Sequence, residues 1–130
     1  MVEDEPELCQ IMATRLQSSG YQVESAADGR EGLDKARRLM PDIIILDIML
    51  PKMDGLKVCR FLKFDQKYKA IPIVMVSARA GVEDQQEARL AGADAFFLKP
   101  ISWDTFFGEI KRLLSSTVPP STQSPHKRGT

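Results

Sequence analysis

The sequence predicts an α/β fold, a mostly parallel sheet with helices on both faces. Short runs of β-branched and aromatic residues alternate with segments whose apolar residues recur at helical spacing, the pattern of strands joined by right-handed crossover helices. The two strongest runs, Ile43-Ile44-Ile45-Leu46 and Ile71-Pro72-Ile73-Val74-Met75-Val76, are almost uninterruptedly apolar, so both faces of those strands are buried, as in the middle of a parallel sheet. Each run ends on a polar residue, Asp47 and Ser77, where open parallel sheets bind ligands.

The elements follow in order. Met1-Val2 is an apolar stub leading into Glu3-Asp4-Glu5-Pro6. Pro6 suits a first helical turn, where its missing N–H costs little. Leu8, Ile11, Met12 and Leu16 continue at helical spacing until Ser18-Ser19-Gly20. Tyr21 to Ser25 alternates like a short strand. Asp28 with Glu31 resembles a capping box and opens a helix that ends before Pro41. After Asp47 and its loop, Asp54-Gly55 opens a helix with Leu56, Cys59 and Leu62 on one face.

In the second half, Pro72 belongs at a strand's start, where a missing ladder donor is tolerated. Residues 81–91 form a polar helix with only Val82, Ala88, Leu90 and Ala91 to bury, hence a weakly anchored one. Ala95-Phe96-Phe97-Leu98 is the last strand and ends at Lys99-Pro100. Ser102 caps a helix carrying Trp103, Phe106, Phe107, Ile110, Leu113 and Leu114. From Ser116 the pattern gives way to Pro, Ser and Thr, so residues 1–115 are expected as the domain and 116–130 as a disordered tail or shortened linker.

Composition narrows the function classes. The 130 residues suit one domain, and 43% hydrophobic with 28% charged residues is ordinary for a globular protein. A formal net charge of zero argues against an electrostatic nucleic-acid binder. No apolar run approaches the roughly 20 residues of a membrane span, and no signal-peptide pattern opens the chain, so the expected compartment is the cytoplasm. Cys9 and Cys59 have no metal-type spacing and are expected as core or boundary residues.

Parallel strands bring Glu3, Asp4, Asp47, Ser77 and Lys99 to one edge. Clustered carboxylates resist joint ionisation unless a cation intervenes, and an all-oxygen donor set suits Mg²⁺. Asp47 is then placed to attack a phosphoryl group as a carboxylate nucleophile, with Lys99 holding one oxygen and Ser77 hydrogen-bonding another.

These residues carry a resemblance. Val2-Glu3-Asp4-Glu5-Pro6, Ile45-Leu46-Asp47-Ile48-Met49-Leu50-Pro51-Lys52-Met53-Asp54-Gly55, Val76-Ser77-Ala78 and Phe97-Leu98-Lys99-Pro100-Ile101 resemble the receiver domain of two-component response regulators, over about residues 1 to 115. The resemblance implies a flavodoxin-like, doubly wound five-stranded sheet in order 2-1-3-4-5, its first strand here truncated. It implies that a sensor histidine kinase or phosphotransfer protein phosphorylates Asp47, and that Asp4, Asp47 and the Met49 backbone carbonyl ligate Mg²⁺, Glu3 acting through water. Ser77 takes the switch hydroxyl position, Phe96 the switch aromatic position, and Lys99-Pro100 a site of a cis peptide. The protein would catalyse only its own phosphorylation and dephosphorylation, with Met49 and Arg79 flanking the phosphoryl group and modulating its loss. The face of helix 81–91, strand 95–98 and helix 102–115 would meet an output domain or partner protein, or a second copy upon phosphorylation.

The sequence departs from the family pattern in its short first strand, in Glu3 at the first acidic position, and in Phe96, which lacks a tyrosine's hydroxyl. An aspartate-nucleophile phosphohydrolase is disfavoured because Met49 stands where a second aspartate is needed, and a nucleotide-binding module because no Gly-rich loop follows the first strand. A degenerate receiver that only binds partners is disfavoured by the intact set Asp4, Asp47, Ser77 and Lys99.

Overall fold

A computed structural model describes residues 1–3, 5–48, 53–78, 82–117 and 127–128. The order is α1 (Pro6–Ser18), β1 (Tyr21–Gln22), α2 (Gly29–Leu39), β2 (Ile44–Asp47), α3 (Gly55–Lys63), β3 (Ile73–Ser77), α4 (Val82–Leu90), β4 (Ala95–Leu98), α5 (Trp103–Thr117) and β5 (Lys127–Arg128).

The apolar runs form the middle of the sheet. β2 pairs in parallel with β3, and β3 with β4, and every residue of β2 and β3 is buried. The short first strand keeps a central place. Val2 bridges Leu46 on one side and Ala26 on the other, both in parallel. Its amide donates to Ile45 O at 2.8 Å, and its carbonyl accepts from Asp47 N at 3.0 Å. Across the sheet the order is thus Ala26, Val2, β2, β3, β4, the flavodoxin-like order. The strand expected at Tyr21 to Ser25 is placed differently. Val2 offers one bridge per side and Ala26 takes it, while Tyr21–Gln22 lies parallel to Lys127–Arg128. α5 continues to Thr117; most of the segment expected as a tail lies outside the described residues.

Side chains alternate along the strands and divide the core in two. Ile43, Ile45, Val74 and Val76 face α1 and α5, meeting Met12, Leu16, Phe106 and Ile110. Ile44, Leu46, Ile73 and Met75 face the other way, onto Leu33 and Ala36 of α2, Val58, Cys59 and Leu62 of α3, and Ala88 and Ala91. Each buried Val, Leu, Ile, Met or Phe side chain among them stabilises the fold by about 1.5–3 kcal/mol.

Local signals set the helix starts. Asp28 Oδ1 accepts from Glu31 N at 2.9 Å, while Glu31 Oε1 reaches back to Ala27 N at 3.0 Å, the reciprocal logic of a capping box. Asp54 Oδ1 accepts from Lys57 N at 2.9 Å. In α4 the expected stripe is thinner still: Leu90 is 76% exposed. At 100° per residue it falls off the face shared by Ala88 and Ala91.

Candidate functional site

The strand ends converge as the parallel sheet requires. Asp47 closes β2, Ser77 closes β3, Lys99 follows β4, and Glu3 follows Val2. Among the described residues, the buried polar and charged residues are Glu3, Asp47 and Ser77, all at this edge. Backbone bonds fix them: Glu3 N donates to Ala26 O at 3.0 Å, Ile48 N to Val76 O at 3.0 Å, and Lys99 N to Ser77 O at 2.7 Å. The Lys99-Pro100 peptide is cis. Gly55 backs directly onto the Asp47 carbonyl, where a Cβ would collide with backbone.

Lys99 gathers the carboxylates. Its Nζ donates to Asp47 Oδ2 and to Glu5 Oε1, each at 2.9 Å, and lies 3.1 Å from Glu3 Oε1. Burial disfavours the ammonium, but the hydrogen-bonded carboxylates of Asp47 and Glu5 and the nearby Glu3 carboxylate outweigh it and hold Lys99 above the usual lysine range. Burial and then the Asp47 charge push the Glu3 carboxyl up to about 7, although the Glu5 amide and Lys99 pull the other way. The amide of Glu5 donates to Glu3 Oε2 at 3.1 Å. Glu3 Oε1 is buried without a hydrogen bond; the Lys99 contact has ion-pair distance without hydrogen-bond geometry.

Carboxylate oxygens of Glu3, Glu5 and Asp47 lie within 4.8 Å of one another. Three hard oxygen donors, one of them an orphaned buried acceptor, fit a small divalent cation such as Mg²⁺. Sequence reasoning assigned no role to Glu5. No local pattern marks it: Glu5 is the N-cap residue of α1, and it reaches the cluster through Lys99, which arrives from the far end of β4. Asp4, Met49 and Arg79 lie outside the described residues.

The remaining candidates are more dispersed. Ser77 is fully buried beside the cluster, paired in register with Leu98. Phe96, opposite Met75, is half-buried and packs on the α3–α4 side of the core. Phe97 faces the opposite layer, edge-on to Phe106 at 5.2 Å.

The site defines a class, a doubly wound α/β domain with an acidic pocket at the carboxyl edge of its parallel sheet. The model of the response regulator receiver domain matches residues 1–111, and the chain belongs to that family, the receivers of two-component phosphorelay signalling. It is 34% identical to the DNA-binding dual master transcriptional regulator RpaA of Synechocystis, over 90% of this chain and 48% of that protein. It is 37% identical to the polar-differentiation response regulator DivK of Brucella ovis, over 88% and 93%. Among solved structures, the chemotaxis protein CheY4 of Vibrio cholerae superposes with a TM-score of 0.79 at 35% identity, over 86% and 93%. A CheY-like receiver domain protein of Methanospirillum hungatei gives 0.83 at 28%, over 89% and 91%. The chain spans about half the length of the first curated relatives it matches. Among the described residues, no helix is long and apolar enough to cross a membrane.

Proposed function

We propose that Asp47 is the phosphoacceptor. A carboxylate oxygen of Asp47 attacks the phosphorus of a phosphohistidine whose other ring nitrogen carries a proton, the N–P electron pair returns to the ring, the neutral imidazole leaves keeping that proton, and an aspartyl phosphate remains. The observation that carries this reading is the Lys99–Asp47 contact among the buried polar residues of the carboxyl edge. Lys99 orients the nucleophile and then balances charge on the transferred group. Asp47, Glu3 and Glu5 would hold Mg²⁺, joined by Asp4 and the Met49 carbonyl as the resemblance implies. When bound, the ion neutralises charge on the phosphoryl oxygens.

The donor is a sensor histidine kinase or phosphotransfer protein, the compartment the cytoplasm, and the only chemistry the domain's own phosphorylation and dephosphorylation. Residues 1–115 carry it, α5 running two positions further to Thr117, and the segment beyond serves as tail or linker that returns to β1 at Lys127–Arg128. Phosphorylation draws the Ser77 hydroxyl toward the new charge, and Phe96 rotates inward, re-presenting α4, β4 and α5 to an output domain, a partner protein or a second copy. Neither Met49 nor Arg79 acts as a base toward water, so the phosphate decays slowly; Met49→Asn with Arg79→Glu should shorten its half-life.

Incubating the protein with Mg²⁺ and acetyl phosphate tests the central step. A mass gain of one phosphoryl group that Asp47→Asn abolishes supports it; an equal gain in the variant rules Asp47 out.

A further inference from the structure

The α2–α3 side carries a second feature, away from Asp47. In a chain of zero formal net charge, residues 55–70 hold five cations, Lys57, Arg60, Lys63, Lys67 and Lys69, against one carboxylate, Asp65. Lys63 turns inward, donating to Ile71 O at 2.7 Å and pairing with Asp94 at 2.7 Å. Asp94 also accepts from Ile73 N at 2.8 Å. This fastens the end of α3 to the edge where β3 begins, opposite the edge that Asp47 and Ser77 close. The other four cations are exposed.

Among them stand Phe61 and Phe64, 49% and 72% exposed and three positions apart, hence on one face. With Arg37 of α2, Arg60, Asp65 and Gln66 they line an open groove of about 600 Å³. Asp65 is committed to the turn, its Oδ1 accepting from Lys67 N at 2.9 Å. Neighbouring exposed aromatics rimmed by polar residues mark contact sites. Phenylalanine faces accept apolar side chains, and the guanidinium groups of Arg37 and Arg60 pair in bidentate fashion with carboxylates.

We propose that this groove docks an acidic segment of a partner protein, carboxylates around an aromatic or aliphatic side chain. The site shares no residue with the carboxylate cluster and does not rest on the role given to Asp47. Fluorescence anisotropy with a labelled peptide of about 12 residues, Glu and Asp around one Phe and one Leu, tests it. The peptide should bind saturably and more weakly at higher salt. Phe61→Ser with Phe64→Ser, and separately Arg37→Glu with Arg60→Glu, should each weaken it by about tenfold or more. Both pairs are solvent-facing, and unchanged melting temperatures would confirm intact folds. The charge-reversed variant should regain binding to a peptide with Lys in place of the acids. Absence of saturable binding, indifference to both variant pairs, or tighter binding of single-stranded DNA or phosphatidylserine vesicles than of the peptide would each overturn the proposal.

Discussion

Lys99 Nζ lies 2.9 Å from Asp47 Oδ2 although 52 positions separate them in sequence. β3 stands between their strands, so the contact crosses the carboxyl edge. The ammonium therefore compensates buried carboxylates as well as orienting one. In Lys99→Ala those charges lose their partner, and the metal-free protein should lose about 2–4 kcal/mol of stability. Mg²⁺ should restore part of that by binding the folded state, while phosphoryl uptake from acetyl phosphate stays impaired. Thermal melts with and without Mg²⁺, alongside mass spectrometry, check both halves. Normal uptake by the variant would remove Lys99 from the mechanism.

Glu5 is the exposed member of the cluster, its side chain 61% accessible. Its ion pair should contribute less than about 1 kcal/mol, so Glu5→Gln should melt close to wild type in the absence of metal. Its stabilisation by added Mg²⁺ should nevertheless be smaller, as should that of Asp4→Ala. Wild-type Mg²⁺ titration curves in both variants would take the carboxylates out of the metal site.

Gly55 lies where α3 turns back against the strand that ends at Asp47, its amide donating to Ile48 O at 2.8 Å. A methyl group there meets backbone, which cannot rotate away as a flexible side chain does. Gly55→Ala should cost about 2–4 kcal/mol by denaturant unfolding and reduce phosphoryl uptake by displacing the Asp47 carbonyl. A variant as stable as wild type would show that the loop relaxes freely.

Burial pushes the Cys59 thiol well above the usual thiol range, up to about 11, and its Sγ donates to Ala91 O at 3.4 Å. The folded state keeps this proton after the unfolded state has lost it. The resulting stabilisation is complete below about pH 9 and fades as pH rises toward 11, a change of up to about 3 kcal/mol. The stability difference between wild type and Cys59→Ala should shrink across that window. At pH 8, half-buried Cys9 should react with a thiol reagent well before Cys59; the reverse order would contradict the burial.

The weak anchoring of α4, with Ala88 buried and Leu90 exposed, leaves it the element best suited to move. Hydrogen exchange with and without beryllofluoride should change over residues 78–98 and in α5. Changes confined to α3 would refute the route through Ser77 and Phe96.

The sequence by itself determined the α/β class, the sheet order once the resemblance was drawn, and the strand ends Asp47, Ser77 and Lys99. These follow from local chemistry: uninterrupted apolar runs must be buried on both faces, and a polar residue closing such a run must emerge at its end. The caps at Asp28 and Asp54 were legible for the same reason, since each acts within three residues. Only the tertiary structure decided that Glu5 joins the cluster, because that depends on how the chain leaves Val2 for α1 and where Lys99 arrives from β4. It alone placed Ala26 rather than Tyr21 beside Val2 and left Leu90 in solvent, since register and the rotation of a thinly apolar helix are set by partners distant in sequence. The pairing of Arg37 with Phe61 and Phe64 along one groove is of the same kind: two helices contribute it, and the packing of α2 against α3 brings them side by side.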